Sequence, residues 1–332
     1  MADRYAEIHK DANGPGDARP IAKQIIDDEN LVGKLGGKVI LITGASGGLG
    51  LETARALYPT GATLYLTARD LEKGKTALGE LANSERVHLL ELDLESLASV
   101  RDCASQVLSQ SKTLNILINN AGVMATPEGK TKDGFETQIG TNHLAHFLLF
   151  NLVKERLLES STPDFNSRAV ILSSIAHRNG TVNFDNLNLE GVYDPLVAYS
   201  QSKLANLWTS NEIERRYGSK GLHSWSVQPG GINTGLLKHL TPEVKGMLEG
   251  DASLMKIFKT PEQGAATTTW AAVAKALEGK GGRYLEDVQI VGPWNPEQGL
   301  WSVGYGPPAY DEKNEARLWA RSLELVGLED DA

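Results

Sequence analysis

The chain has 332 residues, of which 41% are hydrophobic and 23% charged, and its net charge at pH 7 is -9. This balance is ordinary for a globular protein, and the acidic excess argues against a nucleic-acid-binding protein, which needs a basic face. No apolar run approaches a membrane span of roughly 20 residues, and the polar N-terminus lacks the apolar core of a signal peptide. The single Cys103 has no partner for an internal disulfide or a cysteine-based metal site. We therefore expect a cytoplasmic protein without a bound metal.

The two ends of the chain differ from its middle. Residues 1–36 are polar, contain Gly-Pro-Gly at 14–16 and show a modest helical pattern. We interpret them as an N-terminal extension that packs on a surface or is partly disordered. Residues 37–326 are predicted to form one domain because no linker interrupts them, and 327–332 form an acidic tail.

A buried strand, a glycine-rich turn and a helix open the domain. The apolar run Lys38–Thr43 is typical of a strand buried on both faces of a parallel sheet, and Leu49–Tyr58 has helical periodicity. Between them lies Gly44-Ala-Ser-Gly-Gly-Leu-Gly50, whose missing side chains let the backbone approach a pyrophosphate at a helix N-terminus. The spacing differs from the commoner G-x-G-x-x-G pattern, and a glycine turn without a ligand is the alternative interpretation.

A second predicted strand, Thr63–Ala68, ends at Arg69. In a dinucleotide fold this strand end faces the adenosine ribose, where an acidic residue suits NAD and an arginine suits the 2′-phosphate of NADP. Arg69 therefore indicates NADP(H) rather than NAD(H). The alternative is a solvated arginine beside Asp70, which would cap the next helix.

Strands and helices continue to alternate along the chain. Further strands are predicted at Val87–Glu91, Leu114–Ile118, 168–174, Leu222–Val227 and within Gly282–Val291, and a long helix over Gly134–Leu158 carries Asn142. This order predicts the α/β class, with a single-domain, Rossmann-type, doubly wound parallel sheet of about seven strands and helices on both faces. Ligands of such sheets bind beyond the carboxyl ends of the strands, where we place Gly44–Gly50, Arg69, Asp93, Asn120 and Ser174.

Tyr199 and Lys203 lie four residues apart in a helix predicted over 196–217. Residues i and i+4 share a helix face, so the phenol and the ammonium can point into one cleft. Because a fixed cation favours the phenolate, we expect a lowered pKa for Tyr199. The alternative is an amphipathic helix with the tyrosine at its rim and the lysine in solvent.

Together these motifs resemble the short-chain dehydrogenase/reductase family over about residues 36–326. The motifs are Thr43–Gly50, Asp93-Leu94, Asn119–Gly122, Asn142, Ser174, Tyr199-x-x-x-Lys203 and Pro229-Gly230. Finer features resemble the branch of the retinol dehydrogenases and the WW-domain-containing oxidoreductase; they are Thr141–Phe147, Leu172–His177, Ala198–Asn206 and the long separation of Ser174 from Tyr199.

The resemblance implies catalytic roles for four residues. Tyr199 is the general acid in reduction and the base in alcohol oxidation, and Lys203 lowers its pKa together with the oxidised nicotinamide. Ser174, rather than Ser173, donates a hydrogen bond to the substrate oxygen. Asn142 resembles the residue that holds a water linking the lysine to solvent.

The same resemblance implies how the cofactor is held. Asp93 is expected to face the adenine, residues 120–122 the adenosine ribose, and residues 229–234 the nicotinamide and the pyrophosphate. The expected cofactor contacts are Gly44, Ser46, Gly48, Leu49, Gly50, Arg69, Asp93, Leu94, Asn120, Ala121, Gly122, Tyr199, Lys203, Pro229, Gly230, Ile232 and Thr234.

The predicted activity is NADP(H)-dependent interconversion of a hydrophobic ketone or aldehyde and its alcohol. Residues 235–259 are amphipathic, which favours either a mobile lid over the substrate or an ordinary pair of surface helices. Apolar side chains expected at the substrate, unless core packing explains them, are Tyr193, Leu236, Leu240, Met255, Phe258, Trp294, Trp301 and Tyr305. The alternatives are an NAD-dependent alcohol dehydrogenase and a non-catalytic NADP(H)-binding scaffold or sensor.

Two further expectations concern metals and partners. His143, His146 and His177 are not spaced as ligands with a nearby carboxylate, so we interpret them as structural. The expected partner is the small-molecule substrate, and the family resemblance implies a homodimer or homotetramer unless the extensions at both ends cover an interface.

Overall fold

Eight strands form one sheet in the computed structural model, which describes residues 4–330. They are β1 (Val39–Ile42), β2 (Thr63–Ala68), β3 (Val87–Glu91), β4 (Ile116–Asn119), β5 (Ser167–Leu172), β6 (Leu222–Gln228), β7 (Arg283–Glu286) and β8 (Gln289–Ile290). Their order is β3-β2-β1-β4-β5-β6-β7-β8, with β1 to β7 parallel and β8 antiparallel to β7. The doubly wound parallel sheet is therefore confirmed, with one short antiparallel strand beyond the predicted seven.

Helices cover both faces of this sheet. They are α1 (Ala6–Lys10), α2 (Ala22–Asp28), α3 (Gly48–Leu57), α4 (Leu71–Leu78), α5 (Leu97–Gln110), α6 (Ala145–Ser160), α7 (Pro195–Tyr217), α8 (Pro242–Gly250), α9 (Ala252–Ile257), α10 (Pro261–Val273) and α11 (Glu312–Val326). Because side chains alternate along a strand, Ile40 and Ile42 of β1 join the core under α2, α3 and α10, whereas Val39 and Leu41 join the core under α5, α6 and α11. The strand order reverses at β1 and β4, which opens a crevice beyond their carboxyl ends.

The N-terminal extension packs on the domain. Ile25 and Ile26 of α2 are fully buried in the core formed with α3 and α10. Of the tail, Asp330 accepts a hydrogen bond from Arg216 at 2.8 Å. Residues 1–3 of the extension and 331–332 of the tail lie outside the described residues.

The long helix predicted over Gly134–Leu158 begins later and irregularly. Gly134 has a φ of +84°, which excludes it from a right-handed helix. Ile139–Leu144 form a π-helical turn that leads into α6. A π-helical turn adds a residue to the helical repeat and is often found at functional sites. Here it contains Asn142.

The predicted lid over 235–259 contains helices α8 and α9, preceded by a short 3₁₀ turn at Gly235–His239. An aspartate, Asp251, ends α8 and caps α9 by accepting hydrogen bonds from the backbone of Ser253 and Leu254. Among the helices between residues 4 and 330, none combines the length and hydrophobicity that crossing a bilayer requires.

Candidate active site

The glycine-rich turn between β1 and α3 is pressed against the loop that follows β4. Gly44 and Gly48 have φ values of +75° and +55°, which only glycine adopts without strain. A Cβ atom on Gly44 would lie 2.8 Å from the Cβ of Ala121, and one on Gly50 would lie 2.4 Å from the carbonyl oxygen of Gly44. The turn therefore exposes bare backbone at the N-terminus of α3, as binding of a pyrophosphate requires.

Thr43 fastens the ends of β1 and β4 to each other. Its hydroxyl accepts hydrogen bonds from the backbone N–H groups of Asn120 and Ala121, at 2.9 and 3.0 Å. The Asn120 side chain in turn donates to the Thr43 carbonyl at 2.8 Å. His146 Nε2 lies 2.9 Å from the same hydroxyl, and its Nδ1 lies 3.0 Å from the Asn142 carbonyl oxygen. Two loops expected to touch one cofactor are thus held in fixed relative positions.

A cavity of about 390 Å³, whose lining includes charged side chains such as Arg69 and Asp93, opens beyond the carboxyl ends of β1 to β4. We call it the polar cavity. Its lining includes Gly44, Ser46, Arg69, Asp93, Leu94, Ala121 and Gly122, all seven of which are expected cofactor contacts. These residues come from four different strand ends, and the sheet topology brings them to one place.

Arg69 lines the polar cavity with its side chain 68% exposed and 3.4 Å from the Glu95 carboxylate. The neighbouring Asp70 caps α4 through the backbone N–H of Lys73, as the alternative interpretation of this region expects. Burial raises the pKa of Asp93, but the hydrogen bonds from Lys132 at 2.7 Å and from the Glu95 backbone N–H, together with the charges of Lys132 and Arg69, outweigh burial and lower the net pKa. Asp93 is therefore an anionic hydrogen-bond acceptor at neutral pH.

A second, larger cavity of about 560 Å³ lies beyond the ends of β5 and β6. We call it the apolar cavity. Its lining contains both Ser174 and Tyr199, and six expected cofactor contacts, namely Leu49, Tyr199, Pro229, Gly230, Ile232 and Thr234. Cavities of this size hold small organic ligands in other proteins.

The remaining expected cofactor residues lie between the two cavities. A Cβ on Gly48 would lie 3.7 Å from Thr234, and one on Gly122 would lie 3.5 Å from Lys203 Nζ. A Cβ on Gly50 would lie 2.5 Å from Asn120 Nδ2, so these two residues are also neighbours. These residues therefore lie next to residues that line the two cavities.

Tyr199 and Lys203 share one face of α7, as the spacing predicts. Lys203 Nζ lies 5.6 Å from the centroid of the Tyr199 ring and donates a hydrogen bond to the Leu172 carbonyl at 3.2 Å. Both side chains are almost wholly buried. Ser174 follows β5, and its hydroxyl accepts from the backbone N–H of Ala176 at 3.2 Å. The adjacent Ser173 also lines the cavity, but its hydroxyl donates to the Lys203 carbonyl at 2.8 Å, so its proton is committed to the backbone.

The expectation that Lys203 lowers the pKa of Tyr199 is wrong as far as the side chains of the protein determine that pKa. Burial raises the pKa of Tyr199 to about 12, and a side-chain hydrogen bond with Ser174 opposes this only in part. Burial also lowers the pKa of Lys203 to about 8. The Lys203 ammonium donates to a backbone carbonyl, and the loss of water on burial is the largest cause of both pKa shifts. Tyr199 is held as a neutral phenol, which can donate a proton.

Asn142 is fully buried and connects the loop that follows β4 to α7. Its Oδ1 accepts from the Val123 backbone N–H at 2.8 Å, and its Nδ2 donates to the Val123 carbonyl and to the Ser202 hydroxyl, both at 2.9 Å. A Cβ on Gly122 would lie 3.1 Å from its Oδ1. Asn142 is therefore next to Lys203, but its side chain is committed to protein partners.

His143, His146 and His177 are buried. Burial lowers the pKa of His143 to about 3 and the pKa values of His146 and His177 to about 4, so all three are neutral at pH 7. His177 Nε2 accepts from the Gly306 backbone N–H at 3.0 Å. Among residues 4–330, no group of three His, Cys, Asp or Glu side chains is arranged to hold a metal ion.

Only three of the eight apolar side chains expected at the substrate line the apolar cavity. Leu236, Phe258 and Trp301 line the apolar cavity, whereas Met255 lines a separate cavity behind the lid helices. Tyr193, Leu240, Trp294 and Tyr305 line neither. Their contacts show why. The Tyr193 hydroxyl donates to the Thr126 carbonyl at 2.8 Å, and the Trp294 ring lies against the Arg178 guanidinium at 4.9 Å.

Several lining residues were missed from the sequence. Met124 follows a predicted strand end by a few residues, and its position could have indicated it. Ala6, His9 and Ala12 also line the apolar cavity, and nothing in their local pattern indicated this.

The short chain dehydrogenase family matches residues 38–245 of the chain. This range includes the ends of β1 to β6, where the two cavities lie, and the Tyr199–Lys203 pair. The chain belongs to the short-chain dehydrogenase/reductase family. A short-chain dehydrogenase/reductase, prx1 of Penicillium roqueforti, is 51% identical over 325 residues, covering 98% of this chain and 95% of that protein. Retinol dehydrogenase 11 of Homo sapiens is 39% identical over 299 residues, covering 89% and 87%.

Two further comparisons agree with this membership of the short-chain dehydrogenase/reductase family. Oxidoreductase calI of Penicillium decumbens is 41% identical over 340 residues, covering 98% of each chain. The crystal structure of an uncharacterized protein from Mycobacterium paratuberculosis superposes with a TM-score of 0.69 at 34% identity, covering 91% of this chain and 97% of that one. The family uses NAD(P)(H) to interconvert alcohols and carbonyl compounds.

Proposed function

We propose that this protein reduces a hydrophobic ketone or aldehyde with NADPH and runs in reverse toward the alcohol. The observation that carries the proposal is that Ser174 and Tyr199 line one largely apolar cavity of about 560 Å³ beside Pro229–Thr234. The name of the human relative, a retinol dehydrogenase, supports a long apolar substrate.

The residues present fit a dinucleotide. The bare backbone of Gly44–Gly50 would hold the pyrophosphate at the N-terminus of α3, the polar cavity would hold the adenosine, and residues 229–234 would hold the nicotinamide. The reduced nicotinamide supplies a hydride when it is bound.

The protein's own residues would supply the proton and the charge stabilisation. Ser174 would donate a hydrogen bond to the carbonyl oxygen, and the neutral phenol of Tyr199 would transfer its proton to that oxygen. Lys203 would stabilise the resulting phenolate by its charge, and the buried position of both groups strengthens that interaction. Asn142 would fix the loop around Gly122 and the start of α7 in the required positions.

NADPH consumption against a panel of hydrophobic aldehydes and ketones tests this function, with NADH in a parallel series. Turnover with NADPH supports the proposal. Turnover with NADH alone would favour an NAD-dependent alcohol dehydrogenase, and tight NADPH binding without any turnover would favour a non-catalytic scaffold or sensor. A cytoplasmic location and a homodimer or homotetramer stay predictions.

Substitution of Arg69 by alanine is expected to lower the preference for NADPH over NADH by roughly 10- to 100-fold, because a hydrogen bond between charged groups contributes about 1.5–3 kcal/mol. Arg69 lines the polar cavity at the end of β2, where the 2′-phosphate would lie. The measurement is kcat/KM for each cofactor. Lys75→Ala is the control, because it removes an exposed cation of α4 that pairs with Glu72 outside the cavity. An unchanged ratio in Arg69→Ala would assign the preference to other residues.

The rate of carbonyl reduction is expected to fall as the pH rises through about 8. Burial lowers the pKa of Lys203 to about 8, so below this pH the ammonium is present and above it the amine is neutral and cannot stabilise a phenolate. A profile of kcat/KM from about pH 6 to pH 10 measures this. Lys203→Met should lower the rate and abolish that limb. If the variant keeps the same limb, another group titrates there.

A further inference from the structure

The N-terminal segment lies beside the apolar cavity and not on a remote face. Ala6, His9, Lys10, Ala12 and Arg19 all line the cavity that contains Ser174 and Tyr199. Ala6, His9 and Ala12 are half-buried, whereas Glu7 and Ile8 of the same short helix α1 are exposed. We call residues 5–19 the N-terminal wall.

Arg19 attaches this wall to the lid. The guanidinium is buried and donates to the carbonyl oxygens of Ile257 and Phe258 at 2.7 and 2.6 Å, and to that of Gly14 at 3.1 Å. The Gly14 backbone N–H donates to the Lys256 carbonyl at 2.7 Å. The carbonyls of residues 256–258 belong to the end of α9 and the residue that follows it. The N-terminal wall and the second lid helix therefore form one connected piece of structure.

A buried ionic cluster attaches the wall to the other side of the cavity. Lys259 Nζ lies 2.5 Å from the Asp287 carboxylate and donates to the Pro229 carbonyl at 3.2 Å. His9 Nε2 of α1 lies 4.0 Å from the same carboxylate; because burial lowers the pKa of His9, its ring is neutral at pH 7 and packs beside the ion pair. The cluster therefore connects α1, the lid and the loop at residues 229–234 that is expected to hold the nicotinamide.

The turn that presents Asp287 is strained. Asp287 and Val288 have φ values of +52° and +57°, a region that a β-branched residue such as valine rarely adopts. Such strain persists only where surrounding contacts hold it. Here the contacts are the ion pair with Lys259 and a hydrogen bond from the Val288 backbone N–H to Thr267 Oγ1 at 3.1 Å.

From these contacts we propose that the N-terminal wall sets the size of the substrate, selecting long apolar carbonyl compounds that extend from Ser174 and Tyr199 to α1. This inference rests on the proposed function and gives a role to the extension. A long apolar chain gains by removing its surface from water against the wall and the lid side chains Leu254, Ile257 and Phe258, whereas a short substrate does not reach them. The wall should therefore affect long substrates and leave short ones unchanged.

Ala6→Phe tests the proposal by filling the cavity from the wall. Its control is Ile8→Phe, which adds an aromatic ring to the exposed side of the same helix without changing charge. With NADPH and butanal, octanal or dodecanal, Ala6→Phe should lower kcat/KM for dodecanal at least about tenfold and leave butanal unchanged, since apolar pockets discriminate by such factors. Ile8→Phe should match the unmodified protein with all three aldehydes.

A second measurement does not need turnover. The fluorescent apolar chain cis-parinaric acid should bind the unmodified protein and Ile8→Phe equally, and Ala6→Phe more weakly, while NADPH affinity and Tm stay the same in all three. Equal binding of the probe by the three proteins would contradict the proposed role of the N-terminal wall. An equal loss of kcat/KM for butanal and dodecanal in Ala6→Phe would also contradict it. If Ala6→Phe binds the probe more weakly but none of the three proteins turns over any aldehyde, the role of the N-terminal wall in binding is supported and the proposed reaction is contradicted.

Discussion

Substitution of Tyr199 by phenylalanine is expected to lower kcat about 10²–10⁴-fold, because it removes the hydroxyl placed to transfer a proton to the substrate oxygen. Phenylalanine keeps the ring and therefore the packing of this buried position on α7. The burial that raises the pKa of Tyr199 to about 12 also makes substitution by the apolar ring structurally mild. NADPH binding is expected to be retained, since the glycine turn and the polar cavity are untouched.

The measurement separates chemistry from binding. kcat is read from NADPH consumption with an active aldehyde, and the Kd of NADPH from its fluorescence. Tyr58→Phe is the control, since it removes a hydroxyl that donates to Ser84 at 3.1 Å and lies in neither cavity. Turnover by Tyr199→Phe at the rate of this control would contradict the assigned proton transfer.

Much of this site could be predicted because its signals are local. The apolar run of β1 followed by Gly44–Gly50 indicates a strand buried on both faces and a backbone turn, and the structure has both. The four-residue separation of Tyr199 and Lys203 corresponds to about one helical turn, so the spacing alone places both on one face of α7. Parallel strands then bring distant motifs to one sheet edge.

What could not be predicted depends on contacts between distant parts of the chain. The sign of the pKa shift of Tyr199 is set by how completely its phenol is buried, which depends on what packs around α7. The π-helical turn around Asn142 is fixed by Val123 and Ser202. The N-terminal wall is held by Arg19 through carbonyls some 240 residues away, and no local pattern can indicate such a pairing.

Substitution of Gly50 by alanine is expected to destabilise the protein by about 1–3 kcal/mol, as overpacking of a buried site does, and to weaken NADPH binding. Its Cβ would lie 2.4 Å from the Gly44 carbonyl oxygen and 2.5 Å from Asn120 Nδ2. Neither atom can withdraw easily. Gly44 is in a left-handed conformation, and Asn120 Nδ2 holds the Thr43 carbonyl at 2.8 Å, so relief would separate the ends of β1 and β4.

Gly47→Ala is the matched control for the fold, because Gly47 belongs to the same turn and is exposed. Apart from its chain neighbours, none of residues 4–330 has an atom within 4 Å of the position that a Cβ would take there. Its φ of 162° is extended backbone that alanine adopts. Thermal unfolding should therefore show a lower Tm for Gly50→Ala and an unchanged Tm for Gly47→Ala. An unchanged Tm and NADPH affinity in Gly50→Ala would mean that the turn can move away from β4, and that the close contact between the two loops is not what shapes the cofactor site.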